Sequence, residues 1–407
     1  MVSVIEKLTA LGQSLWYDNI ERRLIENGEL AGMVHRGEIR GLTSNPSIFH
    51  NAIAKSHDYD AALVPMAWAG MPADQILEQL AIEDIRAAAD LLLPLYQETQ
   101  AGDGYVSLEV NPALARDTQR TLAEVLRLWK AVDRPNLMVK VPATKEGLPV
   151  IRQAISAGVN INVTLIFSLA RYREVMDAYL RGLEERLVAG LPLDKIASVA
   201  SFFVSRMDTK VDARLENIIR TESPTAAQAQ SLLGKSAIAN ARLAYQEFLK
   251  VFESPRFVDI HKKGGRVQRP LWASTSTKNP TYPVTLYVDQ LIGRDTVNTV
   301  PTQTLEAFKE HGTAQLTIQN DLSDARATLN SLEDLGISIF QVTEELENEG
   351  VAAFLSAYLA LLETIEQRRQ MAVEELGDLA SLIPQRVAKL RADTAVTRMH
   401  AIDPRLW

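Results

Sequence analysis

The sequence predicts a (β/α)8 TIM barrel with additional helices at its C-terminal end. Three observations lead there. Eight short apolar runs of strand character recur along the chain, at 14–18, 39–43, 105–110, 137–141, 160–166, 196–203, 270–274 and 296–300. Between most of them lie stretches of helical periodicity, at 113–131, 148–157, 168–189, 226–252 and 284–292. Strand–helix alternation implies parallel pairing through right-handed crossovers, and eight such units close naturally into a barrel. The third observation concerns the competing open, doubly wound sheet. That architecture usually advertises a glycine-rich phosphate turn, and neither G-x-G-x-x-G nor a complete Walker A occurs. Gly234-Lys235-Ser236 lacks the upstream glycine of a P-loop and reads as part of a helix start.

After about Gly312 the chain turns rich in Ala, Leu, Glu and Arg, with helical patterns at 321–335, 342–367 and 372–390. The division expected is a barrel over 1–312, helices packed on it over 313–392, and a tail over 393–407 without usable periodicity.

Composition narrows the function classes. The chain has 407 residues, 46% of them hydrophobic, which is enough for a sizeable core. A net charge of -8 argues against nucleic acid as the main partner. The absence of cysteine removes disulfides, thiolate catalysis and Cys-ligated metals. Residues 1–13 carry Glu6 and Lys7 and lack an unbroken apolar h-region, and no apolar stretch is long enough to span a bilayer. A soluble cytoplasmic protein without membrane partners is expected. Monomer and homo-oligomer are both compatible with the sequence.

Lys140 carries the chemistry. It sits inside Asn136-Leu137-Met138-Val139-Lys140-Val141-Pro142, a run that reads as a buried strand. Burial and nearby cations favour a neutral amine, and a neutral amine attacks carbonyls to form a Schiff base. Taken alone, the residue also fits a strand-end lysine paired with a carboxylate.

Its company tips the balance. In a parallel barrel the chemistry sits at the C-terminal ends of the strands, and alternate side chains point inward. In the third strand Ser107 and Glu109 share the face opposite Val106, Leu108 and Val110. In the fifth, Asn162 and Thr164 oppose Ile161, Val163 and Leu165. Asp18 ends the first strand, Asn45 follows the second, Ser201 lies in the sixth and Ser274 ends the seventh. Each could instead begin a turn or cap a helix. Glu109 is harder to dismiss, because a buried carboxylate needs a partner. As a set they place a lysine, two carboxylates and several hydroxyls and amides at one rim, as Schiff-base aldol chemistry requires. The six histidines form no H-x-H or H-E-x-x-H pair, and no G-x-S-x-G elbow is present, so a metal site and a serine hydrolase have little support.

Several motifs, in order, resemble those of the transaldolases, in particular the long bacterial branch also found fused to phosphoglucose isomerase. They are Gly41-Leu42-Thr43-Ser44-Asn45-Pro46-Ser47-Ile48-Phe49, Val106-Ser107-Leu108-Glu109-Val110, Met138-Val139-Lys140-Val141-Pro142-Ala143-Thr144, Asn162-Val163-Thr164-Leu165-Ile166-Phe167-Ser168 and Ser201-Phe202-Phe203-Val204-Ser205-Arg206-Met207-Asp208. Leu271-Trp272-Ala273-Ser274-Thr275, with Lys278 and Asn279 after it, and Val297-Asn298-Thr299-Val300-Pro301 complete the set. The resemblance implies a cofactor-free and metal-free enzyme acting on sugar phosphates in the pentose phosphate pathway. It moves a dihydroxyacetone unit from sedoheptulose 7-phosphate or fructose 6-phosphate to an aldose phosphate. It also implies roles: Lys140 as Schiff-base lysine, Asp18 as acceptor of the C4 hydroxyl proton, and Glu109 with a water near Thr164 as proton carrier. Asn45 and Ser201 would hold substrate hydroxyls, with Phe203 and Ser274 lining the site, and Arg206 would bind phosphate. The family's second phosphate cation is not clearly matched, and Lys278 is the nearest basic residue. A fructose 6-phosphate aldolase on a shorter relative of the barrel, and a non-catalytic sugar-phosphate-binding barrel, are the two competing readings. A third reading takes the end of the chain, 394–407, as the remnant of such a fusion junction.

Overall fold

Eight parallel strands close into one barrel in chain order: β1 (Gln13–Tyr17), β2 (Gly41–Leu42), β3 (Tyr105–Glu109), β4 (Leu137–Pro142), β5 (Ile161–Ile166), β6 (Ser198–Phe203), β7 (Gln268–Ala273) and β8 (Thr296–Val300). The structure is a computed structural model and describes residues 2–221 and 223–400. All eight expected runs are strands, and β1 pairs with both β2 and β8 to seal the ring. β4, β5 and β6 are buried along their whole length, which explains their near-continuous apolar character.

The crossover helices form where capping and periodicity agree. Asp117 accepts from the Arg120 amide and starts the helix Thr118–Val132, whose buried Thr121, Val125, Leu128 and Val132 lie on one face at helical spacing. Ser168 caps Leu169–Val188 in the same way, and Asn45 caps Pro46–Ala54. The expected helix over 226–252 is two helices, Ala226–Leu232 and Ser236–Phe252. Gly234 interrupts them at φ 68°, a left-handed turn that breaks the ladder. The span 284–292 yields only the short helix Leu286–Asp289.

The N-terminal end of the barrel is closed by a network of polar groups. Asp103 accepts from Trp16 Nε1 at 2.8 Å and Arg40 Nε at 2.9 Å, and also from the Ser14 hydroxyl. Arg269 Nη2 donates to Ser14 Oγ at 2.6 Å. The Trp16 indole fills the space above Gly41, where a Cβ would stand 2.5 Å from the ring, so β2 requires glycine there. This end reads as stability.

Beyond β8 come Thr302–His311, Leu322–Asp334, the 36-residue helix Ile339–Glu374, and Leu382–Ala392. The long helix exceeds its expected span of 342–367 at both ends. It is tied to several β–α connections on the C-terminal side of the barrel. Arg171 reaches Glu347 at 3.4 Å, Arg214 meets Glu345 at 2.7 Å, and Asn111 Nδ2 donates to Tyr358 at 3.3 Å. Arg368 Nη1 meets Asp60 at 3.2 Å. Of the expected tail, 395–400 is helical and 401–407 lies outside the described residues.

Candidate active site

Parallel register builds the centre of the site. Glu109 and Lys140 are Cα partners across β3 and β4, and Lys140 and Asn162 are partners across β4 and β5. The Lys140 amine therefore points into the barrel mouth, with its side chain only 6% exposed. It stands 3.6 Å from Glu109 Oε2 and donates to the Ser44 carbonyl at 3.3 Å. Burial pushes the Glu109 carboxyl up to about 7, against the pull of the lysine beside it. Near neutral pH this carboxyl is poised both to give and to take a proton.

Asp18 follows β1 directly, its amide bonded to the Val300 carbonyl at 2.9 Å. Thr43 donates to Asp18 Oδ1 at 2.6 Å and is itself 2.6 Å from the Thr299 hydroxyl. Burial raises the Asp18 carboxyl above the ordinary range, while the Thr43 hydrogen bond and the charges of Lys140 and Lys278 draw it down. The two carboxylates thus flank one amine in different settings. One is fixed by hydroxyls. The other has an oxygen, Glu109 Oε2, with no hydrogen-bonding partner among the described residues.

Thr164 is fully buried, and its hydroxyl has no hydrogen-bonding partner among the described residues either. It precedes an irregularity in β5: the register with β6 shifts between Val163 and Ile166, and Leu165 takes φ 60°. A leucine in left-handed backbone is strained, and such strain gathers at functional sites. The consequence is a departure from simple alternation. Leu165 does not continue the Ile161–Val163 face but meets the long helix at Gly350, where a Cβ would stand 2.9 Å from Leu165 Cδ2.

Below the lysine, Ser201 Oγ donates to Asn162 Oδ1 at 2.7 Å, and Asn162 Nδ2 donates to Ser107 Oγ at 3.0 Å. This chain links β3, β5 and β6 across the barrel. Asn45 uses its amide oxygen to cap the Ile48 amide at 3.1 Å, leaving its amide nitrogen available.

Arg206, at the start of the helix Ser205–Arg220, lies over the Phe203 ring at 5.3 Å. Among the described residues it has no carboxylate salt bridge. Burial lowers its affinity for its proton, opposed by Glu349 nearby. A guanidinium held without a partner suits an incoming phosphate. Ser274 adopts φ 55° just past β7, and its hydroxyl is 2.9 Å from that of Ser205. Lys278 is exposed, rests on Ser276 Oγ at 2.8 Å, and acts on Asp18 only through its charge.

Two residues escaped the sequence reading. Phe354, on the long helix, places its ring 5.6 Å from Lys140 Nζ and 6.0 Å from Arg206 Cζ. Gly350, one turn earlier, lets that helix approach Leu165 and Arg206. Neither belongs to a strand end, so the inward-facing rule does not reach them. A glycine and a phenylalanine one turn apart on an amphipathic helix were the available signal. A cavity of about 280 Å³ also reaches Glu109 from the side, between Asn45, Leu128 and Tyr358.

Among the described residues no group of three His, Cys, Asp or Glu is arranged to hold a metal ion, and no helix is long and apolar enough to cross a membrane.

Comparison with known proteins agrees with this geometry. The family model described as Transaldolase/Fructose-6-phosphate aldolase matches residues 15–365. A protein named Transaldolase from Thermobifida fusca is 48% identical over 369 residues, covering 90% of this chain and 99% of its own length. One of the same name from Parafrankia sp. is 46% identical over 382 residues, covering 94% and 100% respectively. The Mycobacterium tuberculosis Transaldolase is 45% identical over 358 residues, covering 88% and 94%.

Proposed function

The chain belongs to the transaldolase/fructose-6-phosphate aldolase family, and from that premise we propose how its barrel mouth performs transaldolase chemistry. The observation that carries the reading is the buried Lys140 amine 3.6 Å from a carboxyl whose titration burial moves to about 7.

The Lys140 amine attacks C2 of a ketose phosphate, sedoheptulose 7-phosphate or fructose 6-phosphate. Glu109 shuttles the protons that turn the carbinolamine into an iminium with loss of water. Glu109 Oε2, beside the Lys140 amine at 3.6 Å, and Thr164 Oγ1 make no hydrogen bond among the described residues, and they suit a water that relays those protons. Asp18, held by Thr43, takes the C4 hydroxyl proton. The C3–C4 bond then breaks, its electron pair moves into the iminium, and an enamine of the three-carbon unit stays on Lys140. An aldose phosphate, glyceraldehyde 3-phosphate or erythrose 4-phosphate, replaces the first product, and the steps reverse.

Asn45, through its free amide nitrogen, and Ser201, through the Asn162 network, hold substrate hydroxyls. Phe203 and Ser274 line the site. Arg206 takes the phosphate, with Lys278 as the candidate for a second cation. No step calls for a metal or organic cofactor. The long helix Ile339–Glu374 belongs to the catalytic unit, because the Phe354 ring stands 5.6 Å from Lys140 Nζ. A cytoplasmic location is proposed, because its sugar-phosphate substrates are held there.

The second reading is fructose 6-phosphate aldolase, which the family description includes. There the enamine is protonated and released. The long helix covering the mouth and the names of the relatives favour transfer. The purified protein should convert sedoheptulose 7-phosphate and glyceraldehyde 3-phosphate to fructose 6-phosphate and erythrose 4-phosphate. It should release little dihydroxyacetone from fructose 6-phosphate alone. Release without an acceptor at the rate of transfer would make the aldolase the better description.

A further inference from the structure

The long helix Ile339–Glu374 follows the barrel in sequence, yet the barrel mouth is fitted to it in detail. Gly350 is the first sign. A side chain there would press on Leu165 Cδ2 at 2.9 Å and stand 3.6 Å from Arg206 Nη1. Leu165 is the second, since its left-handed backbone (φ 60°) turns it to meet that helix. Phe354 is the third. One ring faces two functional groups at once, its centroid 5.6 Å from Lys140 Nζ and 6.0 Å from Arg206 Cζ. Arg206 also lies over Phe203 at 5.3 Å, so its guanidinium is bracketed by two aromatic rings. Phe354 is 6% exposed and packs with the core.

We propose that Phe354 is a specificity-determining residue that holds Arg206 for the substrate phosphate and roofs Lys140, so that the enamine is transferred and not released. The proposal rests on the transaldolase reading and adds a residue to it.

Two effects follow from one ring. A guanidinium against an aromatic face is held in place without a competing carboxylate, and its N–H groups remain free for phosphate. An apolar roof keeps bulk water from the enamine. The competing reaction is specific. If the enamine carbon takes a proton, the iminium re-forms. Water then adds at C2, the carbon–nitrogen bond breaks, the amine is restored and dihydroxyacetone leaves. The water lost in forming the iminium is regained, so the net reaction is ketose phosphate to aldose phosphate plus dihydroxyacetone.

The test compares wild type, Phe354→Ala and Phe354→Leu in three measurements. These are KM for fructose 6-phosphate in transfer, dihydroxyacetone released per transfer, and borohydride trapping of the Schiff base. Phe354→Ala should raise KM by roughly three- to thirtyfold, the span of cation–aromatic attraction. It should also raise dihydroxyacetone release per transfer severalfold while trapping persists. Phe354→Leu keeps apolar bulk without a ring, so it should raise KM yet leave release per transfer near the wild-type value. A purely structural residue would lower the active fraction of enzyme and move neither ratio. Wild-type KM and wild-type partition in a folded Phe354→Ala enzyme would overturn the proposal. Should that variant not fold, an unchanged KM in Phe354→Leu overturns it. Failure of the wild-type protein to transfer at all would instead count against the transaldolase reading.

Discussion

Glu109 and Lys140 face each other at 3.6 Å because they are register partners on adjacent parallel strands. Their meeting is set by backbone pairing and not by a loop. A one-residue slip of β4 would send the lysine outward among the helices. The pair is therefore as rigid as the barrel.

Asp18 and Glu109 should fail at different steps. Asp18→Ala leaves the amine and Glu109 in place, so the Schiff base forms but the C4 hydroxyl keeps its proton and cleavage stops. Glu109→Ala removes the proton carrier beside Lys140 and slows Schiff-base formation itself. Single-turnover borohydride trapping with fructose 6-phosphate reads both. Normal trapping in the Glu109 variant with none in the Asp18 variant would reverse the two roles.

The Glu109 carboxyl also sets a pH dependence. Its folded-state titration, near 7, lies above the ordinary carboxylate value of 4.5. Between those two values the folded protein holds a proton that the unfolded chain has released. Stability from this group is full below the unfolded value and is lost as pH rises through the folded one. Glu109→Gln cannot ionise, so it should melt above wild type at pH 8 and close to it at pH 4. The inflection near neutrality in the pH profile of kcat/KM should vanish with it. Equal melting differences at both pH values would show that burial does not hold this proton.

Arg206→Ala should weaken phosphorylated substrates selectively. A hydrogen bond to a charged group contributes about 1.5–3 kcal/mol, so kcat/KM for fructose 6-phosphate should fall tenfold or more. Turnover of unphosphorylated dihydroxyacetone should barely change. Equal losses for both would mark Arg206 as a structural residue.

The strands, and the residues they turn inward, were legible because period-two alternation and strand ends follow from local geometry. Lys140, Glu109, Asp18, Asn45, Thr164, Ser201 and Arg206 are proposed for the site on that basis or by motif. What was not legible is long-range. No local pattern says that Phe354 lies above Lys140, more than two hundred residues earlier. Alternation also failed at Leu165, where a register shift turns the side chain toward the long helix. The Asn162 network needed three strands in register before it could be seen.

The central claim is that Lys140 is the nucleophile, and one measurement addresses it directly. The protein is incubated with fructose 6-phosphate, reduced with borohydride, digested and analysed by mass spectrometry. The account predicts a reduced adduct on Lys140, absent from Lys140→Ala, a variant that folds but does not turn over. An adduct on Lys145 or Lys278, or turnover retained in Lys140→Ala, would contradict it.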